Sequence, residues 1–380
     1  MSRKAMGGGD WWWHGEGAWH CPYEGVRQTM ASDQKRSMAF GAVPAAVPEV
    51  FPAGNLLFLD GEEHKVVRGV LMKSLTNEEN WGARVKDLPS VLAPFLPKPC
   101  NLKTLGADKN ISDKLVAAGV WFLIFGVKLT DEQVTKVAQW GAGGLAGYFV
   151  FPRFIHRVAF GLLMSKIKQL RIDMIDIVKA HGLESKFEML NGSLGQYKRA
   201  SALELCDEFM YAVNFAGVGG SQHGTWAVLR FMQRLAVDVP TADIVWPKGD
   251  MVAMFKANPD AFIKEAVRLD APVTSACCVF KEDATIPFDV SCCSGTQEHR
   301  VHANQLRQYV LSIANRDPAE FDNPNHFNPA RPNINNMLGW NGAISNPTCY
   351  PRFCPGHWMS VALMKSIVCL LDEVKDTSPA

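Results

Sequence analysis

The segment Tyr350-Pro-Arg-Phe-Cys-Pro-Gly356 stands directly before the last helical pattern of the chain, which we predict from about His357 to Val374. A cysteine at the start of a helix is readily stabilised as a thiolate. The helix N-terminus offers backbone N–H groups and a positive dipole end, which stabilise negative charge on sulfur. Gly356 lets the backbone approach a bulky group closely. The alternative for Cys354 is a buried free thiol, the commonest fate of cysteine.

Charged residues precede this segment in a fixed order. Glu265-Ala-Val-Arg268 places opposite charges at i and i+3 on one face of a predicted helix, Phe262 to Leu269. Taken alone, this pair is equally typical of a solvated surface. The Pro- and Asn-rich stretch that we predict as coil, Asn315 to Phe353, contains Arg331. Two short strands, predicted at 273–280 and 285–290, separate the helix from this coil.

A long helical pattern from Leu203 to Leu235 contains an unusual number of glycines. Its centre reads Asn214-Phe-Ala-Gly-Val-Gly-Gly-Ser-Gln-His-Gly224. Each glycine costs about 1 kcal/mol relative to alanine inside a helix. Such a cost is typical where a flat ligand approaches the helix or where the helix must kink. The alternative is close packing against another helix.

The remaining patterns predict a mainly α fold with a small β part. We expect a helix capped by Ser112 and running through Val127, and a second from Asp131 to about Trp140. A third occupies 161–180 and stops at Gly182. Residues 1–50 are rich in Gly, Trp and Pro, and we predict an irregular N-terminal segment of loops with short elements. Residues 51–380 then form one large domain.

Composition excludes several classes of protein. Lys and Arg total 39 against 38 Asp and Glu, and a net charge of +1 gives no support for a nucleic-acid binder. Ten cysteines occur without a CxxC pair, which indicates reduced thiols in an intracellular protein. No secretory signal or transmembrane run is present, so we expect a soluble or peripheral membrane protein, with plastid targeting left open. The cluster Trp11-Trp12-Trp13 fits either membrane contact or core packing.

The order of a Gly-rich helix, ExxR, an aromatic–Pro–Arg segment and Cys-x-Gly resembles the cytochrome P450 superfamily of haem-thiolate enzymes. The resemblance runs from about residue 56 to 374 and implies a P450-like domain shortened at both ends. It implies haem b, with Cys354 as the axial thiolate, and a thiolate favours O–O cleavage. Phe353 and Gly356 flank that ligand, and Arg352 is a candidate partner of a haem propionate.

The same resemblance assigns roles to residues far from Cys354. His64 and Arg68 lie one helical turn apart and are similar to the propionate-binding positions of the family's early helix. A solvated helix face is the alternative for these two. Glu265, Arg268 and Arg331 would form a buried ion-pair network that fixes the coil beneath the haem.

Three features resemble the branch of allene oxide synthases, hydroperoxide lyases and epoxyalcohol synthases. The acid–alcohol pair of oxygen-activating members is absent after Ala216-Gly217-Val218, and Asn214 and Gly217 match the branch's long helix. The branch's haem segment is similar to Trp340-Asn341-Gly342 and to the spacing from Pro347 to Cys354 in this chain. Its early helix is similar to the stretch in which Leu59-Asp60 precedes His64. Val218 and Phe353 depart from the branch pattern.

This branch implies rearrangement of a fatty-acid hydroperoxide by a dehydratase, lyase or isomerase type of reaction that forms oxylipins. Dioxygen, NADPH and a reductase partner are then not required. Asn214 would hydrogen-bond the hydroperoxide over the iron, or alternatively would bond a nearby carbonyl or water. The rival interpretations are a dioxygen- and NADPH-dependent monooxygenase, a truncated haem-binding relic without activity, and a helical protein without haem.

Overall fold

The computed structural model describes residues 19–20, 23–32, 36–38, 52, 54–76, 78–140, 153–235, 244–289, 296–303 and 306–375. They divide between two compact units. The first unit draws on 1–39, 223–357 and 373–380, and the second on 40–222 and 358–372.

Helices dominate the described residues, as the sequence predicts. The α-helices are α1 Tyr23–Ala31, α2 Gly61–Leu71, α3 Glu78–Val85, α4 Leu88–Leu92, α5 Leu102–Ala107, α6 Lys109–Phe125, α7 Asp131–Ala138, α8 Arg153–Ala180, α9 Glu184–Gly192, α10 Ala202–Ala212, α11 Gly219–Met232, α12 Met251–Ala257, α13 Pro259–Leu269, α14 Leu311–Ala314, α15 His357–Val368 and α16 Asp372–Lys375. The strands are β1 Trp19–His20, β2 Arg36–Met38, β3 Ser275–Phe280, β4 Ala284–Asp289, β5 Thr296–Val301 and β6 Leu306–Val310.

The second unit is organised around α6, which is apolar on nearly every side. Thirteen of its seventeen residues are buried, including Trp121 at 0% exposure. It contacts α3, α4, α5 and α7. A helix that is hydrophobic all round must be enclosed by other elements, and α6 is therefore the core helix of this unit. The π-helical segment Val213–Val218 also contacts it.

The first unit combines two small sheets with α13. The larger sheet has the order β1-β6-β3-β2, with β3 antiparallel to both β2 and β6 and with β1 parallel to β6. The smaller sheet is the antiparallel pair β4-β5. An aromatic cluster of Phe231, Trp246, Phe262 and Phe327 fills part of the core, with ring centroids 4.9–6.4 Å apart. These contacts position α13, which carries the ExxR sequence.

The N-terminal segment contributes regular structure to the first unit. Its longest described element, α1, is tied to the rest of the unit by Tyr23, whose hydroxyl donates to the carbonyl of Asn336 at 2.6 Å. The Tyr23 backbone amide donates to Asp317 at 2.8 Å. The three tryptophans at 11–13 lie outside the described residues, so both interpretations of that cluster stay predictions.

Both predicted boundaries of the helix expected at 112–127 are wrong. The helix predicted to begin at Ser112 begins at Lys109, because the side chain of Asp108 accepts from the backbone of Asn110 at 2.9 Å and caps it. It ends at Phe125 rather than Val127, since Gly126 takes a left-handed φ of +74°.

The predicted final helix is also interrupted. α15 ends at Val368, and α16 starts only at Asp372. The Asp372 backbone amide donates to the carbonyl of Cys100 at 2.7 Å, and this tertiary bond replaces a helical one. The helices predicted at 131–140 and 203–235 are present, the second as the continuous helical run α10, Val213–Val218 and α11, called here the long helix.

Candidate functional site

The Cys354 loop, Tyr350–Gly356, is held in place by its backbone. The amide of Cys354 donates to the carbonyl of Trp340 at 2.8 Å, and the amide of His357 donates to the carbonyl of Cys354 at 3.3 Å. The side chain of Cys354 is half-buried, and α15 begins three residues later. The thiol therefore sits on a fixed loop beside the positive end of a helix, where a thiolate is stabilised.

The segment Trp340-Asn341-Gly342 supports this loop from behind. Asn341 adopts φ +58°, a left-handed conformation that Asn tolerates, and its amide nitrogen donates to the carbonyl of Arg352 at 2.8 Å. Gly342 adopts φ +158°, and a Cβ there would lie 2.5 Å from Cγ of Tyr350. Only glycine at 342 lets Tyr350 pack in this position.

His357 lies beneath the loop and was not predicted as a site residue. Its ring is 1% exposed and packs edge-on against Trp340 at 4.4 Å and Phe353 at 5.5 Å. Burial, followed by the positive charge of Lys264, lowers the pKa of His357 to about 4. The imidazole is therefore neutral at physiological pH and packs as an aromatic ring between Trp340 and Phe353. The one signal in the sequence was its position at the start of the last helix.

The structure brings together the three residues of the predicted ion-pair network. Arg268 Nε and Nη2 donate to the two oxygens of Glu265 at 2.7 and 2.8 Å, and Arg331 Nε donates to Glu265 Oε1 at 3.0 Å. Glu265 and Arg268 are 0% exposed and Arg331 is 6% exposed. A buried carboxylate in a bidentate pair, with a second guanidinium beside it, is fully compensated.

The remaining donors of both guanidiniums fix the coil that leads to the Cys354 loop. Arg268 Nη1 donates to the carbonyls of Asn315 at 2.6 Å and Pro324 at 2.9 Å. Arg331 Nη2 donates to the carbonyls of Asn323 at 2.7 Å and His326 at 2.8 Å. The network therefore supplies hydrogen-bond donors to the carbonyls of a coil, which are not paired within a helix or a sheet.

Arg316 adds a cation that the sequence analysis did not identify. Its guanidinium donates to Asn325 Oδ1 at 2.8 Å and to the carbonyl of Leu269 at 2.7 Å. Burial and the charge of Arg268 lower its pKa to about 10. Arg316 therefore links the end of α13 to the coil.

Asn214 lies on the buried side of the long helix. Trp121 Nε1 donates to Asn214 Oδ1 at 3.0 Å, and Asn214 Nδ2 donates to the carbonyl of Met210 at 2.8 Å. The side chain is 0% exposed and belongs to the π-helical segment. These contacts favour the structural alternative for Asn214, and its catalytic role stays a prediction that the geometry does not support.

One face of the same helix is open. Ala216 and His223 are exposed, and Gly217 and Gly220 between them are half-buried. Among the residues that the structure describes, a Cβ built on Gly220 meets no atom within 4 Å, and one on Gly217 meets only Val213 Cγ1 at 4.0 Å. These two glycines are therefore not explained by close packing against another helix, and the approach of a flat ligand accounts for them better.

The predicted site residues fall in both units. Cys354, Arg352, Phe353, Gly356 and the ion-pair network belong to the first, and His64, Arg68, Asn214 and Gly217 belong to the second. His64, 2% exposed, and Arg68, half-buried, lie one turn apart on α2 as predicted. Arg352 is 8% exposed.

No protein-family model and no curated protein sequence matches the chain. Solved structures do match it over most of its length. The alignment with CYP164A2 of Mycobacterium smegmatis covers 94% of this chain and 83% of the CYP164A2 chain, with 18% identity and a TM-score of 0.63. The fold is that of the cytochromes P450. Cytochrome P450 CYP109B1 of Bacillus subtilis matches with 13% identity and a TM-score of 0.61, covering 94% of this chain and 85% of its own.

A third P450 match is P450BioI in complex with acyl carrier protein ligated to hexadec-9Z-enoic acid. It shares 15% identity and a TM-score of 0.60, over 93% of this chain and 83% of its own. At these identities the likeness establishes the P450 fold. None of the three is described as rearranging hydroperoxides, so the comparison gives the predicted branch no support. Among the helices that the structure describes, none is both long enough and apolar enough to cross a membrane.

Proposed function

We propose that this chain is a haem-thiolate enzyme with Cys354 as the axial ligand of haem b. The observation that carries the proposal is the half-buried Cys354 thiol, which sits on a backbone-anchored loop at the N-terminus of α15 in a P450 fold. A structural cysteine would need neither the supporting segment Trp340-Asn341-Gly342 nor the partial exposure. The buried network around Glu265 supports the same function, since it immobilises the coil before the loop.

The residues present fit a haem. In the first unit, Cys354 supplies a soft sulfur donor that the fold leaves accessible. The resemblance implies that Arg352 of the same unit would hold a haem propionate through charge-assisted hydrogen bonds, and it assigns the same role to His64 and Arg68 of the second unit. The haem supplies the iron chemistry of the O–O bond when it is bound.

The protein's own residues then have separate tasks. The start of α15 would stabilise negative charge on Cys354, and the hydrogen bond from the backbone amide of Cys354 to the carbonyl of Trp340 holds the loop that carries the sulfur. The rings of Phe353 and His357, with centroids 5.5 Å apart, pack against each other and support the loop. The long helix, with its small residues, leaves room for substrate.

For the reaction, we propose that the substrate brings its own O–O bond, as a fatty-acid hydroperoxide does. The acid–alcohol pair of oxygen-activating members can be sought after either of two small-residue triplets of the long helix, and it follows neither of them. After Ala216-Gly217-Val218 come two glycines, and after Gly219-Gly220-Ser221 come Gln222 and His223. Gln222 is 1% exposed, and its Nε2 donates to the carbonyls of Asp113 at 3.2 Å and Ala138 at 3.1 Å. Proton delivery to bound dioxygen therefore lacks its usual groups.

The second candidate is a dioxygen- and NADPH-dependent monooxygenase. It is favoured by the structural matches, one of which is described as a cytochrome P450-like monooxygenase, with 14% identity and a TM-score of 0.64 over 94% of this chain. Thr225 on α11 is an alcohol with no hydrogen-bond partner for Oγ1 among the described residues, although it is 0% exposed.

The deciding experiment gives the haem-loaded protein a polyunsaturated fatty-acid hydroperoxide under nitrogen without reductant. Rapid loss of the conjugated-diene absorbance, abolished in Cys354→Ala, supports the hydroperoxide reaction. No loss from protein with a thiolate-type CO spectrum, together with turnover that depends on NADPH and a reductase, supports the monooxygenase. Protein that purifies without haem, or shows no thiolate-type band, contradicts the whole proposal. It would favour the interpretation of the chain as a truncated relic without activity.

A further inference from the structure

We propose that the ion pair between Arg199 and Glu63 positions helix α2 for the binding of a haem propionate. The inference rests on the proposed haem-thiolate function. His64 and Arg68, to which the resemblance assigns the propionates, lie on α2, and Glu63 belongs to the first turn of this helix. All four residues belong to the second unit.

Arg199 is held at several points by its backbone and by its guanidinium. The backbone amide of Arg199 donates to Asn191 Oδ1 at 2.8 Å, and Asn191 Nδ2 donates to the carbonyl of Arg199 at 3.1 Å. In the guanidinium, Nε donates to Glu208 Oε2 at 2.7 Å, Nη1 to the carbonyl of Tyr197 at 2.9 Å and Nη2 to the carbonyl of Gly54 at 3.1 Å. The planar guanidinium is therefore fixed in direction as well as in place.

The same guanidinium reaches α2. Arg199 Nη1 also donates to Glu63 Oε1 at 2.8 Å, and the two residues lie 136 positions apart in the chain. The buried carboxylate of Glu208, which is 5% exposed, already compensates the charge of Arg199. Glu63 is therefore not needed to neutralise the guanidinium, and its bond ties α2 to a fixed anchor.

The neighbouring glutamate shows what the helix alone would require. Glu62 and Glu63 both stand in the first turn of α2, where an acid favours the positive end of the helix dipole. Glu62 pairs with Lys65, three residues on, at 3.7 Å, and both of these side chains are more than 60% exposed. An exposed pair within one helix contributes little to stability and cannot position that helix. The tertiary bond of Glu63 has no counterpart in this pair.

The bond acts on the end of α2 that the apolar core holds least. Val67 and Leu71 are each 1% exposed, so apolar packing fixes the later turns. The first two residues of the helix are exposed, and Glu63 follows them directly. His64 comes next and Arg68 lies one turn further on. A helix ordered before the ligand arrives avoids the cost of ordering it on binding.

The test compares the wild type with Glu63→Ala and, as matched control, Glu62→Ala. Each variant removes one carboxylate from the first turn of α2 and introduces the best helix former. Every protein is loaded either with haem b or with the dimethyl ester of haem b, in which both propionate charges are removed. The rate of haem release to an excess of apomyoglobin is measured, together with the CO band and the midpoint of unfolding in urea.

We expect Glu63→Ala to keep the CO band and to release haem b about tenfold faster than the wild type, since a charged hydrogen bond that orders α2 is lost. Glu62→Ala should match the wild type. The dimethyl ester should leave Glu63→Ala and the wild type at the same rate, because α2 then has no propionate charge to hold.

Two outcomes would overturn the proposal. One is release of haem b from Glu63→Ala at the rate of the wild type. The other is an equal acceleration for haem b and for its dimethyl ester, which would make the ion pair a purely structural contact. A wild type that takes up no haem, or that gives no thiolate-type CO band, would instead refute the proposed function on which the inference rests.

Discussion

The Cys354 loop and the long helix differ in what their polar side chains do. Around the loop, the side chains of Asn341, Arg268 and Arg331 all donate to backbone carbonyls, and the chain before Cys354 is held at many points. On the long helix, polar side chains turn into the interior, and the open face carries small residues and His223. The first region is built to hold one sulfur atom still, and the second to leave space.

The largest expected effect falls on the loop. Cys354→Ala should abolish the thiolate-type CO band and all hydroperoxide turnover, because no other group on the loop can supply an anionic sulfur at that point. Cys349→Ala is the matched control, since Cys349 is an exposed thiol five residues earlier in the chain. Equal haem spectra for Cys354→Ala and the wild type would remove the loop from the site altogether.

The next largest effect concerns the ion-pair network. Arg268→Ala leaves the carboxylate of Glu265 buried with only Arg331 as a charged partner, and about 3–5 kcal/mol of stability should be lost. Arg300→Ala, which removes an exposed pair with Asp283 at 3.3 Å, should cost less than about 1 kcal/mol. Urea unfolding followed by circular dichroism measures both. Similar midpoints for the two variants would mean that the network does not hold the coil.

A smaller effect is expected where the long helix meets α6. Asn214→Ala and Trp121→Phe each leave one buried hydrogen-bonding group without its partner, which costs about 1–3 kcal/mol. The double variant should cost less than the sum, since the two residues share one bond. Turnover per haem should survive in Asn214→Ala. Loss of turnover in Asn214→Ala, with Trp121→Phe unaffected, would restore the catalytic role predicted from the sequence.

The two regions also differ in how far the sequence predicts them. The network around Glu265 was expected through the resemblance to the cytochromes P450, because an ExxR pair taken alone does not tell a buried network from a solvated surface. The orientation of Asn214 does not follow, since its partner Trp121 lies 93 residues away in the chain. The π-helical segment also shifts the helix face, and helical periodicity alone does not reveal such a segment.

The same contrast holds for the fold. The long apolar patterns of α6 and α8 predict helices well, whereas β5 and β6 were missed. The sequence of β5, Thr-Gln-Glu-His-Arg-Val, lacks the alternation of a half-buried strand and pairs with β4 through its backbone. The helix starting at Lys109 was misplaced because Asp108 and Ser112 are both good caps, and only the tertiary structure chooses between them.

The smallest expected effect, that of Gly220→Ala, tests the open face of the long helix by comparison with another helical glycine, Gly119. In Gly119→Ala the new methyl group would overlap Cδ1 of Leu363, which is 0% exposed, and overpacking of this kind costs about 1–3 kcal/mol. In Gly220→Ala the methyl group meets open space, and alanine should stabilise the helix by about 0.5–1 kcal/mol. Thermal unfolding without substrate measures both changes.

The gain in Gly220→Ala should come at the expense of ligand binding, because the methyl group occupies space that we assign to a flat ligand. We therefore expect lower haem retention or weaker hydroperoxide binding in this variant, and no such change in Gly119→Ala beyond its loss of stability. Gly220→Ala protein that is both more stable and fully competent for haem and substrate would contradict that assignment. The glycine would then mark only the flexibility of a helix beside a π-helical segment, and the contrast between a rigid loop and an open helix face would lose its second half.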